Sequence, residues 1–259
     1  MTDTDQKPVT ACLLIIGNEI LSGRTQDTNL NYLAKGLGEV GVQLREVRVI
    51  PDVPETIVAT VNEVRAKFDY VFTTGGIGPT HDDITAECIA AAFGVKLVFH
   101  PVAKQLLEEH YARRGIEFNE ARQRMAHVPE GATLIDNPVS TAPGFRIGNV
   151  HVMAGVPKIM QAMFDGIRHG LKGGPKVLSR SVTCALAEGT LAHDLAQIQA
   201  DYPSVEIGSY PFWSPGGSFG VSLVMRSADL AALEHAHEAV IAMIRGFGGE
   251  PVERGAEQA

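Results

Sequence analysis

A continuous apolar run, ACLLIIG at positions 11–17, constrains the fold of this 259-residue chain more than any other stretch. A strand that is apolar on both sides must be buried between two layers, as in a parallel sheet covered by helices on both faces. Two further strand-like runs, VQLREVRVI (42–50) and YVFTT (70–74), alternate with segments of helical spacing. This alternation predicts an α/β fold, with a three-layer α/β/α arrangement and a mostly parallel sheet. Further along the chain, GFRIGNVHVMAG (144–155) predicts a hairpin with Gly148–Asn149 as its turn.

The pattern changes after LKGGPK (171–176), whose glycines and proline predict a domain boundary. The segments beyond it are a strand (177–187), a helix (190–200), two strands (205–210 and 219–226) and a helix (229–245). This order is typical of a small α+β unit. We therefore predict two domains, residues 1–172 and residues 173–259, the second of which ends in a polar tail.

The charge of the chain argues against two classes of partner. The formal net charge is −8, whereas nucleic acids and anionic membranes both attract a basic surface. No run approaches the ~18 apolar residues of a membrane-spanning helix. The N-terminus, MTDTDQKP, lacks the basic and apolar regions of a signal peptide. We expect a cytoplasmic protein that binds a small molecule and neither nucleic acid nor membrane.

The stretch TTGGIGPTHDDIT (73–85) places glycines and two aspartates between a strand and the next helix. Backbone N–H groups of such a loop, together with the positive end of the helix, can bind a phosphate. A carboxylate beside a phosphate is tolerable when a divalent cation lies between them, so Asp82 and Asp83 are candidate Mg²⁺ ligands. The alternative is that one aspartate only caps the helix. The loop matches neither the dinucleotide pattern GxGxxG nor the P-loop.

The loops that follow the first three strands are expected to share one crevice, because ligands bind beyond the carboxyl ends of parallel strands. Those loops are GNEILSGRTQDTN (17–29), PDVP (51–54) and GGIGPTHDD (75–83), and each of them contains a carboxylate. The sequence therefore predicts a ligand site at this edge of the sheet that contains acidic side chains.

These motifs also carry a resemblance to a known family. The matching stretches are GNEILSGRTQDTN (17–29), IPD (50–52), TTGGIGPTHDDITAE (73–87), RRGIEFNEARQRMAHVPEGA (113–132), TAPGF (141–145) and AGVP (154–157). In this order they resemble the N-terminal domain of CinA-type competence/damage-inducible proteins, which belongs to the molybdopterin-binding superfamily. The remainder resembles the small KH-like middle domain of those proteins. The chain ends where their C-terminal nicotinamide-nucleotide amidase domain would begin, so we expect no amidase activity.

The resemblance implies a fold that binds adenine-nucleotide-like or pterin-like pyrophosphates, with metal-dependent hydrolysis of ADP-ribose as the associated activity. It matches Asp83 and Asp52 to two carboxylates with catalytic or metal roles, whereas Mg²⁺ and its ligands Asp83 and Asp82 are expected from the chemistry of the loop. The substrate-binding residues that the resemblance implies are Glu19, Asn29, Gly75, Gly76, Gly78, Pro143, Gly144 and Pro157, and the loop adds the backbone N–H of Thr74. Two positions depart from the family pattern: Ser140 replaces the glycine of GTAPG, and Lys158 replaces an acidic residue after GVP.

Two alternatives to this hydrolase remain open from the sequence. The protein could be a module that binds a molybdopterin or a nucleotide without turnover, or it could carry out FAD or molybdopterin-nucleotide chemistry in the same pocket. The formal GxxG from Gly217 to Gly220 has no adjacent basic residue, so we interpret it as a hairpin loop and not as a nucleic-acid clamp. We expect a homo-oligomer, with a dimer favoured, that forms through the apolar strands of the second domain.

Overall fold

A computed structural model of the chain describes residues 7–213 and 219–254. These residues divide into two compact units, one formed by Pro8–Gly173 and the other mainly by the residues from Gly174 onward. Most of the predicted hairpin loop (214–218) and most of the polar tail (255–259) lie outside the described residues. No helix among the described residues is long and apolar enough to cross a membrane.

The first unit is built on a mixed sheet. Its strands are β1 (Val9–Ile16), β2 (Val42–Ile50), β3 (Tyr70–Thr74), β4 (Leu97–Phe99), β5 (His127–Pro129), β6 (Thr133–Ile135), β7 (Gly144–Ile147) and β8 (Val150–Met153). Six of them form one sheet in the order β2-β1-β3-β8-β7-β6, while β4 and β5 form a separate pair. The pairs β1–β2, β1–β3 and β3–β8 are parallel, whereas β7 is antiparallel to both of its neighbours.

The first strand explains why helices cover both faces of this sheet. Residues 11–16 are at most 4% exposed. Their side chains alternate between two core clusters, so that Leu14 packs on one face and Leu13 on the other. A strand of this composition is stable only when both of its faces are removed from water.

The helices divide between the two faces as this burial requires. They are α1 (Asn18–Leu21), α2 (Asn29–Glu39), α3 (Pro54–Lys67), α4 (Thr85–Phe93), α5 (Pro101–Arg113), α6 (Glu120–Gln123) and α7 (Pro157–Arg168), and a 3-10 turn (Arg124–Ala126) follows α6. Helices α3 and α4 pack on the face of Leu14, whereas α2 and α7 pack on the face of Leu13. The predicted three-layer α/β fold with a mostly parallel sheet is confirmed.

The end of the sheet shows both a confirmed prediction and a miss. The predicted Gly148–Asn149 turn joins β7 to β8, and Gly148 has a φ of 56°. The pair formed by Leu97–Phe99 and His127–Pro129 was not predicted. Strands of three residues are too short to show the alternation from which a strand is recognised.

The second unit has its own sheet and core. Its elements are β9 (Leu178–Cys184), α8 (Glu188–Asp201), β10 (Glu206–Trp213), β11 (Phe219–Ser227), α9 (Leu230–Gly246) and β12 (Val252–Arg254). The sheet order is β10-β11-β9-β12, and every pair is antiparallel. Val182, Leu223 and Leu233 are fully buried between this sheet and the helices. The predicted order of elements is confirmed, with β12 as an addition.

The outer edge of β10 is blocked against further strand pairing at two of its outward positions. Gln199 of α8 accepts a hydrogen bond from the Ile207 backbone N–H at 2.9 Å, and its Nε2 donates to the Val205 carbonyl oxygen at 2.7 Å. Because backbone N–H groups alternate in direction along a strand, Pro211 occupies another outward position and has no N–H to offer. A side-chain amide and a proline thus protect the edge from intermolecular pairing.

One buried histidine makes the first unit sensitive to acid. His151 of β8 is 3% exposed. Its ring stacks on Phe72 with a centroid distance of 5.1 Å and lies 5.8 Å from the ring of Tyr70. Burial, with a smaller effect of Arg146, lowers the pKa of His151 from 6.5 to about 4. The imidazole is therefore neutral in the folded protein at pH values where the unfolded chain would protonate it.

We predict that replacing His151 with leucine reduces the loss of stability in acid. Neutral His151 imposes no penalty on the folded state above about pH 6.5. As the pH falls from 6.5 to about 4, the unfolded chain binds a proton that the folded protein does not, and the free energy of unfolding falls by about 3 kcal/mol. Urea unfolding of the wild-type protein and of His151→Leu at pH 7 and pH 4.5 measures this difference. The exposed His169→Leu is the matched control. Equal acid sensitivity of the wild-type protein and His151→Leu would contradict the prediction.

Candidate functional site

The carboxyl ends of three strands meet at Gly75. A Cβ atom on this residue would lie 2.1 Å from the carbonyl oxygen of Ile16 at the end of β1. The Gly75 N–H donates to the carbonyl oxygen of Met153 at the end of β8, at 3.1 Å. With a φ of 107°, the position also has a backbone conformation that favours glycine. Gly75 therefore allows β1, β3 and β8 to end at one point.

The next residues of the loop are fastened to the start of α4. The Thr85 N–H donates to the Gly76 carbonyl oxygen, and its hydroxyl group donates to the Gly75 carbonyl oxygen, both at 3.0 Å. A Cβ atom on Gly76 would lie 2.1 Å from Thr85 Oγ1, and one on Gly78 would lie 2.6 Å from Asp83 Oδ2. These contacts fix the path of the glycine loop (Gly75–Gly78) beside the helix.

The two aspartates do not cap α4. The helix begins after Ile84 without any side-chain cap. The Asp83 Oδ2 atom instead accepts from the Thr80 N–H at 2.8 Å. The alternative interpretation of these aspartates as helix caps is therefore wrong. The carboxylates are held by the loop and stay outside the hydrogen bonds of the helix.

Asp82 and Asp83 converge on one hydroxyl group. The Thr80 Oγ1 atom lies 2.5 Å from Asp82 Oδ1 and 2.6 Å from Asp83 Oδ2. A hydroxyl group has one proton, so it can donate to only one of the two carboxylates at a time. The contact with Thr80 lowers the pKa of Asp82 below its usual value, which keeps this carboxyl group ionised. His81 lies 4.0 Å from Asp82 and its side chain is 97% exposed.

This pair fits a divalent cation whose coordination is completed by a ligand. Within the described ranges, no group of three or more His, Cys, Asp or Glu side chains could hold a metal ion. Asp82 and Asp83 nevertheless offer hard carboxylate oxygens, and the single hydroxyl proton of Thr80 can pair with only one of the two carboxylates. Mg²⁺ is commonly bound by one or two carboxylates, with phosphate oxygens and waters as its other ligands.

A cavity of about 540 Å³ opens beside the glycine loop. It is lined by Gly76, Ile77, Gly78, Pro79, His81, Asp83, Ala86, Glu87, Leu97, Glu120, Ala121, Arg124, Met125, His127, Val128, Pro143 and Phe145. Four of the predicted site residues therefore share it, namely Gly76, Gly78, Asp83 and Pro143. The cavity is formed by the glycine loop, α4, the α6 region and the β4–β5 pair.

Sequence reasoning missed the polar side chains on the far wall of this cavity. Among the arginines of the stretch 113–124, the structure brings Arg124 to the cavity, where Nη2 lies 3.4 Å from Glu87 Oε1 and from the Asp83 carbonyl oxygen. His127 lies three residues further along the chain. No local signal could have selected His127, because its position depends on the pairing of β5 with β4. Arg124 lies in the 3-10 turn before β5, and the sequence does not distinguish it from the other arginines of the stretch 113–124.

Asp52 and Glu19 lie in the neighbouring loops and do not line the cavity. The Asp52 Oδ2 atom accepts from the Asn18 N–H at 2.9 Å and so holds the turn after β1. The carboxylate of Glu19 covers Gly17, where a Cβ atom would lie 2.6 Å from its oxygens. The catalytic role of Asp52 and the substrate contact of Glu19 remain predictions.

Asn29 and Thr74 are buried with unpaired polar atoms. Asn29 is 3% exposed, and its Nδ2 donates to the Gly155 carbonyl oxygen at 2.8 Å. Its Oδ1 and the hydroxyl group of Thr74 have no partner among the described protein atoms. Buried polar groups nearly always have a partner, so unpaired ones near the strand ends point to a bound molecule or water.

The remaining predicted residues have structural explanations. A Cβ atom on Gly144 would lie 2.4 Å from the Val152 carbonyl oxygen, so the packing of β7 on β8 requires glycine there. Pro157 is exposed and starts α7, and Lys158 follows it on the same exposed turn. Ser140 accepts from Asn137 Nδ2 at 2.6 Å, within the turn that precedes Pro143.

Family comparisons divide the chain where its topology changes. The family described as "Probable molybdopterin binding domain" matches residues 12–171. A second family, "FAD synthase, middle domain", matches residues 176–248. The second match corrects the predicted KH-like assignment of this region. Gly220 of the formal GxxG lies within β11, where a Cβ atom would be 2.4 Å from the Cys184 carbonyl oxygen, so the packing of β11 on β9 accounts for this glycine.

Individual relatives support the family of the first unit. The chain is 38% identical over 211 residues to a protein of Pyrobaculum calidifontis, covering 78% of this chain and 80% of that protein. It is 30% identical over 254 residues to a CinA-like protein of Chloroherpeton thalassium, covering 91% of this chain and 59% of that protein. The chain thus spans little more than half the length of this CinA-like relative.

A solved structure shows the same fold for the first unit. It is that of the protein CinA, with unknown function, from Thermoplasma acidophilum, which is 32% identical with a TM-score of 0.58. The likeness covers 63% of this chain and 98% of that chain. The family match to residues 12–171 spans more than half of the sequence. The chain therefore belongs to the family of probable molybdopterin binding domains and is similar to CinA-like proteins.

Proposed function

We propose that the first unit is a metal-dependent pyrophosphohydrolase that acts on ADP-ribose or a related nucleotide pyrophosphate. The observation that carries this proposal is the arrangement of Asp82 and Asp83 around Thr80, beside the glycine loop and at the edge of the cavity. Carboxylates, loop amides and a cavity of this size together suit a phosphate-containing ligand with a cation.

The loop offers backbone donors to an anion. The Gly75 N–H is already used by Met153. The N–H groups of the next three residues, Gly76, Ile77 and Gly78, have no hydrogen-bond partner within the described part of the chain. Successive unpaired amides form a site for phosphate oxygens and stabilise charge that develops on phosphorus oxygens during the reaction.

Asp82 and Asp83 would hold Mg²⁺. When bound, the ion supplies positive charge to the pyrophosphate oxygens as a Lewis acid. Of the two carboxylate oxygens of Asp83, only Oδ2 is contacted by the N–H and hydroxyl group of Thr80. The other oxygen, Oδ1, is left to orient the attacking water and to receive its proton.

The reaction exchanges one bond to phosphorus for another. A water oxygen forms a bond to one phosphorus atom while the bridging oxygen leaves it, and no electron is transferred to another molecule. From ADP-ribose the products are AMP and ribose 5-phosphate. Arg124 contacts Glu87 at the long distance of 3.4 Å, so it can turn to a phosphate oxygen at little cost.

The unpaired atoms of Asn29 and Thr74 support a ligand that extends past the loop. By the alternation along β3, Thr74 lies on the same face of the sheet as Phe72, with α2, whereas the cavity adjoins Phe145 on the opposite face. A pyrophosphate that rests on the glycine loop would place one half of the ligand on each side. Sugar hydroxyl groups suit Asn29 Oδ1 as donors and the Thr74 hydroxyl group as either partner.

The family match favours a second candidate function. A molybdopterin or nucleotide could bind at the same amides and carboxylates without turnover, as the description of the family suggests. Incubation of the pure protein with ADP-ribose and Mg²⁺, followed by assay for AMP, separates the two. Tight binding without AMP release would favour the binding module, and turnover of FAD in place of ADP-ribose would redirect the substrate assignment.

We predict that Asp83→Asn lowers AMP release from ADP-ribose by on the order of 10²-fold or more at saturating Mg²⁺, because it removes a principal electrostatic group. Stability should change little, since the amide oxygen of asparagine can still accept the hydrogen bonds from Thr80. The assay is initial-rate AMP release, with urea unfolding for stability. The exposed Asp194→Asn on α8 is the matched control. Activity of Asp83→Asn within a few-fold of wild type would refute the assignment.

We also predict that Gly78→Ala lowers turnover by displacing the Asp83 carboxylate. The new methyl group would lie 2.6 Å from Asp83 Oδ2, and the φ of Gly78 is not in the left-handed region, so alanine fits the backbone. Gly166→Ala, in α7, meets nothing within 4 Å. That control should keep full turnover and gain about 0.5–1 kcal/mol of stability. Wild-type turnover in Gly78→Ala would show that the position of this carboxylate is not critical.

A further inference from the structure

The orientation of His127 in the cavity is fixed by the backbone. Its Nδ1 lies 3.0 Å from the carbonyl oxygen of Gln123. A carbonyl oxygen can only accept, so this contact requires the proton of the neutral imidazole to be on Nδ1. The ring is also packed against Phe99, with a centroid distance of 4.7 Å. His127 is therefore held in one place with Nε2 as a hydrogen-bond acceptor.

The Nε2 atom is available to a ligand. His127 lines the cavity, and no hydrogen bond to Nε2 is found within residues 7–213 and 219–254. Fixing one ring nitrogen by a backbone carbonyl leaves the other to interact with substrate or solvent.

The cavity offers both hydrogen-bond donors and hydrogen-bond acceptors to a ligand. The donors include Arg124 and the amides of residues 76–78, which have no partner among the described residues. The acceptors are His127 Nε2 and the carboxylates of Asp83, Glu87 and Glu120. His127 is the acceptor that belongs to a ring packed among apolar side chains, so it suits the donor of a ligand whose anion is bound by the amides.

The wall around His127 is apolar. Leu97, Met125, Val128 and Phe145 line it together with the imidazole. Apolar walls with a few oriented polar groups are typical of sites for small molecules and cofactors. An amino group on a planar heterocycle combines an apolar face with an N–H donor at its edge.

We propose that His127 is a specificity-determining residue, which accepts a hydrogen bond through Nε2 from the amino group of a planar heterocycle bound in the cavity. This deepens the proposed function, because it names the part of the nucleotide that the cavity selects. Adenine and pterin rings share this chemistry, and both can be joined to a phosphate that reaches the glycine loop.

The test compares two nucleotides that differ only in the amino group. AMP and purine riboside 5′-monophosphate are titrated calorimetrically into the wild-type protein and into His127→Leu. We expect the wild-type protein to prefer AMP by roughly tenfold, the effect of one hydrogen bond, and His127→Leu to lose this preference. His127→Gln, whose amide oxygen can also accept, should recover part of it. Thermal unfolding verifies that each variant is folded.

His81→Leu is the matched control, because this imidazole also lines the cavity but contacts no backbone carbonyl oxygen within residues 7–213 and 219–254. It should keep the preference for AMP. Neopterin monophosphate is titrated into the same two proteins. If His127→Leu weakens its binding more than that of AMP, the ring that the cavity selects is a pterin, and if AMP loses more affinity, the ring is adenine.

The proposal is overturned if the wild-type protein binds both purine nucleotides equally or binds neither AMP nor the pterin at millimolar concentration. It is also overturned if His127→Leu keeps the preference or if His81→Leu abolishes it. These outcomes are separate from the failure of hydrolysis, because binding is measured without turnover. Loss of AMP release in Asp83→Asn, together with an unchanged AMP preference in His127→Leu, would leave the proposed hydrolase intact and remove this inference alone.

Discussion

The contact between Gly75 and the carbonyl oxygen of Ile16 is the constraint on which the site depends. A Cβ atom would lie 2.1 Å from that oxygen, so any other residue would force β1 and β3 apart at their carboxyl ends. The Gly75 N–H also ties β3 to β8 through Met153. Since the glycine loop starts at this point, the position of its amides and of Asp83 follows from how closely these three strands end.

The candidate site has its carboxylates and its free backbone N–H groups on different residues. The carboxylates of Asp82 and Asp83 are turned to Thr80, whereas the amides that have no partner among the described residues belong to residues 76–78. Thr80 supplies one proton to two carboxylates, so the negative charge of the pair is only partly compensated by hydrogen bonding. A divalent cation would neutralise this charge and could bind a phosphate at the same time, whereas a phosphate alone would be repelled by the carboxylates.

The fold and the glycine loop could be predicted from the sequence because their signals are local. The apolar run 11–17 required two covering layers, and the Gly148–Asn149 turn required a hairpin. The far wall of the cavity could not be predicted. His127 reaches it through the pairing of β5 with β4, two three-residue strands that are about thirty residues apart and show no periodicity. The placement of Asp52 outside the cavity likewise depends on tertiary contacts.

The glycines of a sequence motif differ in what they indicate about a ligand. Gly144 and Gly220 are required because a strand carbonyl oxygen occupies the position of a side chain, so sheet packing explains them fully. Gly75 is explained in the same way, and its N–H is already paired. Gly76 and Gly78 also exclude a side chain, but their N–H groups, beside a cavity, have no partner within the described part of the chain. The end of β3 therefore determines which amides are free for a ligand, because the first residue after the strand still donates to β8 and the following ones do not.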